Sequence, residues 1–218
     1  MAERRPQIIV TGRATVPAEP DEVQLELSLD AVKKSADDAL ADVAERSETL
    51  ERLFAELSID RSAWSTSGVS VGEYREWTKD KYALKGYRAA NRLSLRLKGA
   101  SVVGALMRRA TAEADARIAG PYWRVARDNP ARAEAYRAAA LDARRRAEAY
   151  AAALGVSLGE VLKVREPRGT TSVAPQMGVL PAPAAAPGGH AREPQVEVNP
   201  GTLEVSDVVE IVFAVAEE

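Results

Sequence analysis

No cysteine occurs anywhere in the chain, and its one histidine, His190, stands in a Pro/Ala/Gly-rich stretch outside any patterned segment. These absences exclude thiolate nucleophiles and disulfides. They also argue against zinc sites built on several Cys or His residues, and against a Ser-His-Asp triad mounted on a rigid element. Neither charge sign prevails: 30 Lys and Arg face 32 Asp and Glu, a formal net charge of −2. No global basic field therefore draws the chain to nucleic acid or anionic lipid. No run approaches the roughly 18 apolar residues that a membrane span needs. Met1 to Gln7 is polar and lacks the apolar core of a signal peptide. The chain as written is expected in the cytoplasm, with a periplasmic or secreted location if a leader was removed. Missing, too, are an Asp-x-Asp loop, a Gly-rich phosphate cradle and a nucleophile elbow, so no cofactor and no metal is expected.

What is present is periodicity. Val23, Leu25, Leu27 and Leu29 alternate with Gln24, Glu26, Ser28 and Asp30, the period of a strand with one buried face. Ile8, Val10, Gly12, Ala14 and Val16 alternate in the same way, and Pro17 to Pro20 supply turn chemistry, so these two strands are expected to pair as a hairpin. Ser35 with Asp38 reads as a helix start, and Ala36, Leu40, Val43, Ser47, Leu50, Phe54 and Leu57 trace its apolar stripe. Thr66 to Trp77 and Leu84 to Leu97 form a long hairpin with the charged tip Thr78-Lys79-Asp80-Lys81. Ser101 opens a second helix through Val103, Leu106, Met107 and Ala110, and Arg117 to Arg127 returns as a strand. The order strand, helix, strand, strand, helix, strand is that of ferredoxin-like sandwiches.

A third helix has the clearest ends: Asn129 as N-cap, Pro130 in the first turn and Gly155 at the C-terminus. Its expected stripe is Tyr136, Ala140, Ala143, Ala147, Tyr150 and Leu154, small enough in part to let the helix lie close to a sheet. Glu160 to Arg165 is a short strand. Seven of the 12 prolines fall between Pro167 and Pro200, which makes that segment a long loop or arm rather than a central strand or packed helix. Leu203, Val205, Val209, Ile211, Phe213 and Val215 then share one face of a C-terminal strand interrupted by Asp207. The expected fold is α+β: one antiparallel sheet with three helices on one face, containing the ferredoxin-like order, plus a C-terminal strand after the Pro-rich loop. Residues 1–218 form a single domain on this reading, with 167–200 the arm inside it.

Five stretches together resemble the SIMPL-domain family: Ile8-Ile9-Val10-Thr11-Gly12-Arg13-Ala14 followed by Pro20-Asp21-Glu22-Val23; Tyr87-Arg88-Ala89-Ala90-Asn91-Arg92-Leu93; the Ala/Arg helix Ala138 to Ala153; Leu154-Gly155-Val156-Ser157-Leu158-Gly159; and Pro200-Gly201-Thr202-Leu203-Glu204-Val205. The resemblance spans about residues 7 to 216. It implies an α+β fold, frequent assembly into large homo-oligomers, no established enzymatic activity and, for some bacterial relatives, periplasmic or outer-membrane association and a link to stress tolerance. Two features depart from the family: the export signal common in bacterial members is missing, and Gly120-Pro121-Tyr122-Trp123 replaces a Phe-containing strand. The family offers no catalytic residues to carry over, so a non-enzymatic, self-assembling interaction protein is expected, its protein partner unidentified.

Four groups of residues are candidates. Arg88, Arg92 and Arg96 share the polar face of one strand, as an anion or nucleic-acid surface would require. The net charge of −2 and the lack of interleaved aromatics argue against nucleic acid, and pairing with Glu26, Glu204 or Glu210 is the plainer account. Arg144-Arg145-Arg146 reads as a solvated helix face, with Asp142 supporting Arg146. Trp77 and Tyr82 near the hairpin tip are candidate interface anchors. In the arm, Val173, Met177, Val179 and Leu180 are placed to bury against a neighbouring subunit. The competing expectation is an enzyme using carboxylates or Tyr in a cleft between sheet and helices, whose mark would be a concave pocket holding strongly shifted titrating groups.

Overall fold

A computed structural model of the chain describes residues 6–78, 81–167, 171–175 and 201–216. Contacts divide these residues into two compact units, one built mainly from Asp21–Arg124 and the other from the segments on either side of it.

The Asp21–Arg124 unit holds β2 (Glu22–Lys33), α1 (Ala36–Glu56), β3 (Trp64–Thr78), β4 (Lys81–Lys98), α2 (Val103–Ala114) and β5 (Arg117–Arg124). Its four strands run in the order β3-β4-β2-β5, every pair antiparallel. This is the expected ferredoxin-like order, in which the first and third strands of the repeat lie side by side at the centre. The alternation from Val23 to Ala31 buries its odd-numbered residues, and they meet Leu50, Leu53 and Phe54 of α1 and Val103 and Leu106 of α2 in one core. Each fully buried aliphatic side chain contributes on the order of 1.5–3 kcal/mol. Trp64 belongs to this core, its ring 5.2 Å from that of Phe54 and the Arg61 guanidinium 4.0 Å from its centroid. The cap at Ser35 forms as expected: Asp38 N–H donates to Ser35 Oγ at 3.1 Å. The stripe is rotated slightly, however, since Ala39 and Leu53 are buried while Leu40 is exposed. Ser101 does not cap α2; Val102 occupies that position without a side-chain hydrogen bond.

The other unit holds β1 (Gln7–Ala18), α3 (Pro130–Leu154), β6 (Ser157–Arg165), β7 (Ser172–Pro175) and β8 (Leu203–Ala216). Here β8 is central, with β1 along one edge and β6 and β7 sharing the other, all antiparallel. Both predicted ends of α3 are realised: Asn129 Oδ1 accepts from Ala131 N–H at 2.9 Å, and Gly155 is left-handed at φ 68°. Its buried residues are Ala135, Ala139, Ala143, Ala147 and Ala151, every fourth position, and Tyr136, Tyr150 and Leu154 point outward. The expected stripe thus holds at its centre, where Ala143 and Ala147 are buried, and fails at both ends, where Ala135, Ala139 and Ala151 take the places expected for Tyr136, Ala140 and Tyr150. Small side chains won the buried face because the sheet comes so near: a Cβ on Gly12 would stand 2.1 Å from the carbonyl oxygen of Ala139.

The α+β class therefore holds, while its arrangement differs from the expected single sheet under three helices. There are two four-stranded sheets, α1 and α2 packing in one unit and α3 in the other. The expected β1–β2 hairpin does not form. Both neighbours of β2 are already supplied, by β4 and β5, and β1 pairs along its whole length with β8. Within the expected arm, Ser172–Pro175 is a strand on β8, with Val173 opposite Val205, so Val173 is spent within the chain. Met177, Val179 and Leu180 lie outside the described residues, as do Lys79 and Asp80 of the hairpin tip.

Candidate functional site

The β3–β4 hairpin is much longer than the helices of its unit can cover. In β3 only Trp64 is buried, and the remaining fourteen residues are exposed or half-buried. Register decides what they present. Leu95, Leu93, Asn91 and Ala89 of β4 point toward the helices, and the last two stand opposite Val69 and Val71 of β3. A residue of β3 at Ser67 and one of β4 at Lys85 fall outside the pairing. Beyond them, odd-numbered β3 residues stay on the helix side, so Val69, Val71, Glu73, Arg75 and Trp77 continue the face of the core past the region the helices roof. Trp77 lies opposite Tyr82, their rings edge to face at 4.9 Å. Trp77 is 63% and Tyr82 65% exposed. Pairing of this kind steadies both rings, and Arg75 and Glu73 form a 2.8 Å ion pair beside them.

Behind this strip lies the wet face of the same sheet, which carries the arginine ladder. Arg88 pairs with Asp30 at 2.7 Å, and Glu26 accepts from Ser94 and from Gln24. Of the anticipated acidic partners, Glu210 instead holds Arg165 at 3.1 Å, and Glu204 stands opposite Pro17 and Ala174. Both belong to the other unit. Arg92 lies opposite Ser28, which has Arg117 on its other side, and Arg96 lies opposite Gln24. The ladder is therefore partly neutralised at its Arg88 end; Arg92 and Arg96 stand directly opposite neutral residues, with Glu26 between those two positions on the same face.

The triple arginine of α3 is a solvated face, as expected. Arg146 bonds Asp142 at 2.8 Å and Arg144 bonds Glu148 at 2.9 Å. Asp142 also accepts the backbone N–H of Arg13 at 3.0 Å, and that bond, followed by Arg146, holds its carboxyl below the usual range. The first unit repeats the device. Lys33 Nζ stands 2.6 Å from Asp42 and, with Arg46, lowers the Asp42 carboxyl. Arg46 goes on to donate to the carbonyls of Asp30, Ala114 and Asp115, gathering the ends of β2 and α2. Sequence reading missed Arg46 and Asp42; their i,i+4 spacing was the available signal.

A concavity of about 480 Å³ in the Asp21–Arg124 unit is lined by Glu22, Asp60, Ser62, Arg96, Lys98 and Ser101 among others. Its Asp60 carboxyl is lowered because Ser62 donates both its hydroxyl and its backbone N–H to it, the work of a cap on the turn at Arg61–Ala63. Among the described residues no three His, Asp or Glu side chains converge as metal ligands would. No helix among them is long and apolar enough to cross a membrane.

A family model described as SIMPL, protein of unknown function (DUF541), matches residues 8–213. Comparison with curated protein sequences found no significant match.

Proposed function

The chain belongs to the SIMPL family, and from that premise we propose that it is a non-enzymatic protein that assembles with copies of itself through strand surfaces its own helices leave open. One observation carries the reading: Val69, Val71, Trp77, Tyr82 and Leu84 extend the core-side face of the hairpin and are all 46–65% exposed. Exposed apolar side chains gathered on one face mark contact sites, and aromatic anchors of this size dominate interface energies. The β6 edge of the other unit, with Val161 and Val164 exposed, supports the same reading.

Light scattering tests it. Wild-type protein at micromolar concentration is expected to have a mass that is a multiple of 23.4 kDa, and Trp77→Ser with Tyr82→Ser is expected to weaken assembly about tenfold or more. A single-copy mass at all concentrations would remove the proposal.

The arrangement of Arg92 and Arg117 around Ser28, with Arg96 nearby, favours a second reading, anion or nucleic-acid binding. Such binding would fall steeply with added salt; a flat response dismisses it. A link to stress tolerance rests on the family resemblance alone, and survival of a deletion strain under oxidant tests it.

A further inference from the structure

The self-assembly reading leaves open which edge is used. Resting on that reading, we propose that β3 is the pairing edge: two copies join β3 to β3 in antiparallel register about a two-fold axis at Tyr74, making one continuous sheet from two.

Among the described residues, the two edges of the sheet β3-β4-β2-β5 are unlike. Strand β5 has eight residues, contains Gly120 and Pro121, and slips register against β2 between Gln24 and Glu26. A short edge with a proline and a bulge is poorly suited to pairing with another chain. Strand β3 has fifteen residues and no proline, and from Gly68 to Thr78 it carries no extra residue of its own, since the irregularity at Tyr74/Arg75 puts the additional residue on β4. It offers an unbroken row of backbone donors and acceptors, the requirement for strand addition.

The side chains select the partner and the register. A two-fold axis perpendicular to the sheet keeps the helix side of both copies on one side, so odd-numbered β3 residues must meet odd-numbered ones. Each allowed register then centres on one residue. Centring on Glu73, Arg75 or Glu76 sets that charge directly against its own copy, which is destabilising. Centring on Gly72 sets Glu73 and Arg75 against Val71 and Val69. Centring on Tyr74 sets Glu73 against Arg75 twice and Val71 against Trp77 twice. The existing Glu73–Arg75 ion pairs then become an alternating group of four charges, flanked on each side by a row Val71, Trp77, Tyr82. On the opposite face Gly72 meets Glu76, and the space above Gly72 is open. Self-complementarity of charge and apolar rows at one register points to a second copy of this chain as occupant.

The absence of cysteine gives a clean test. In this register Tyr74 faces its own copy with Cα atoms about 4.5–5.5 Å apart, inside the range of about 4.4–6.8 Å that a disulfide spans. Ser70 would lie about 27 Å from its own copy at roughly 3.4 Å per residue. Under mild oxidation Tyr74→Cys is expected to give a covalent dimer at least tenfold faster than Ser70→Cys or, on the β5 edge, Ala119→Cys. Equal rates, or cross-linking led by Ala119→Cys, would overturn the assignment. A second set keeps the test independent of the introduced cysteine: Glu73→Arg or Arg75→Glu alone is expected to weaken assembly on the order of tenfold, and the double exchange to restore it. If both single variants assemble as wild type does, β3 is not the edge. The mass of the wild-type protein separates the two levels. An assembled wild type with no Tyr74→Cys cross-link refutes only the edge, whereas a single-copy wild type refutes assembly itself.

Discussion

Over β3-β4-β2-β5 the helices carry leucine, valine and phenylalanine, whereas over β1-β8-β6 the one helix sets down a column of five alanines on a glycine. In the first unit, stability comes from apolar area and large side chains that interdigitate. In the second, little side-chain area is available, and stability comes from many close contacts between backbones that only small residues permit. The same chemistry of attachment recurs in both: an aspartate on the helix, Asp42 or Asp142, held by a strand residue and by an arginine four positions on. The contrast teaches that a weakly amphipathic alanine helix and a strongly amphipathic one can both roof a sheet, but that they fail to opposite substitutions. One is harmed by deletion and the other by addition.

The largest expected effect follows from deletion in the first unit. Phe54→Ala should cost about 3–5 kcal/mol, read by tryptophan fluorescence during denaturation, since Trp64, Trp77 and Trp123 all lie in that unit. A loss below about 1 kcal/mol would break the comparison on that side. Next comes addition in the second unit. Gly12→Ala places a methyl group into the Ala139 and Ala143 backbone and should cost about 3 kcal/mol, the upper part of the overpacking range, with faster hydrogen exchange in β1 and α3. A neutral outcome would break the comparison on the other side.

The smallest effect sharpens the shared feature. The folded Asp42 carboxyl is lowered chiefly by the Lys33 ammonium, so its contribution is present above the unfolded value of about 3.9 and is lost as pH falls through the folded one. Asp42→Asn should therefore cost about 1 kcal/mol or less at pH 7, and the difference from wild type should shrink as pH falls through the folded Asp42 value. Asp142→Asn should cost less still, because an amide oxygen can go on accepting the Arg13 N–H that is the first cause of the Asp142 shift. Equal losses would show that the arginine, not the backbone, dominates at Asp142.

Much of this was legible in the sequence where one local rule acted alone. The alternation at Val23–Leu29, the caps at Ser35, Asn129 and Gly155, and the hairpin from Thr66 to Leu97 each follow from period or cap chemistry. The strand order of the ferredoxin-like unit followed from element order. What was not legible required knowing partners far away in the chain. Nothing local tells β1 that β8, about two hundred residues later, will outcompete the adjacent β2. The stripe of α3 was read correctly at Ala143 and Ala147 but not at its ends, because Tyr136, Tyr150 and Leu154 carry more hydrophobic weight than alanine, while the sheet at Gly12 admits only small side chains. At the candidate surface, sequence located Trp77 and Tyr82 near a tip. Only the register of β3 against β4 revealed that they share a face with Val71, Glu73 and Arg75.

Hydrogen exchange of β3 as a function of protein concentration tests the central claim most directly. If copies meet along that strand, amides between Gly68 and Thr78 are protected at high concentration and become exposed on dilution, while those of β5 keep one rate throughout. Exchange in β3 that is fast and independent of concentration would contradict it.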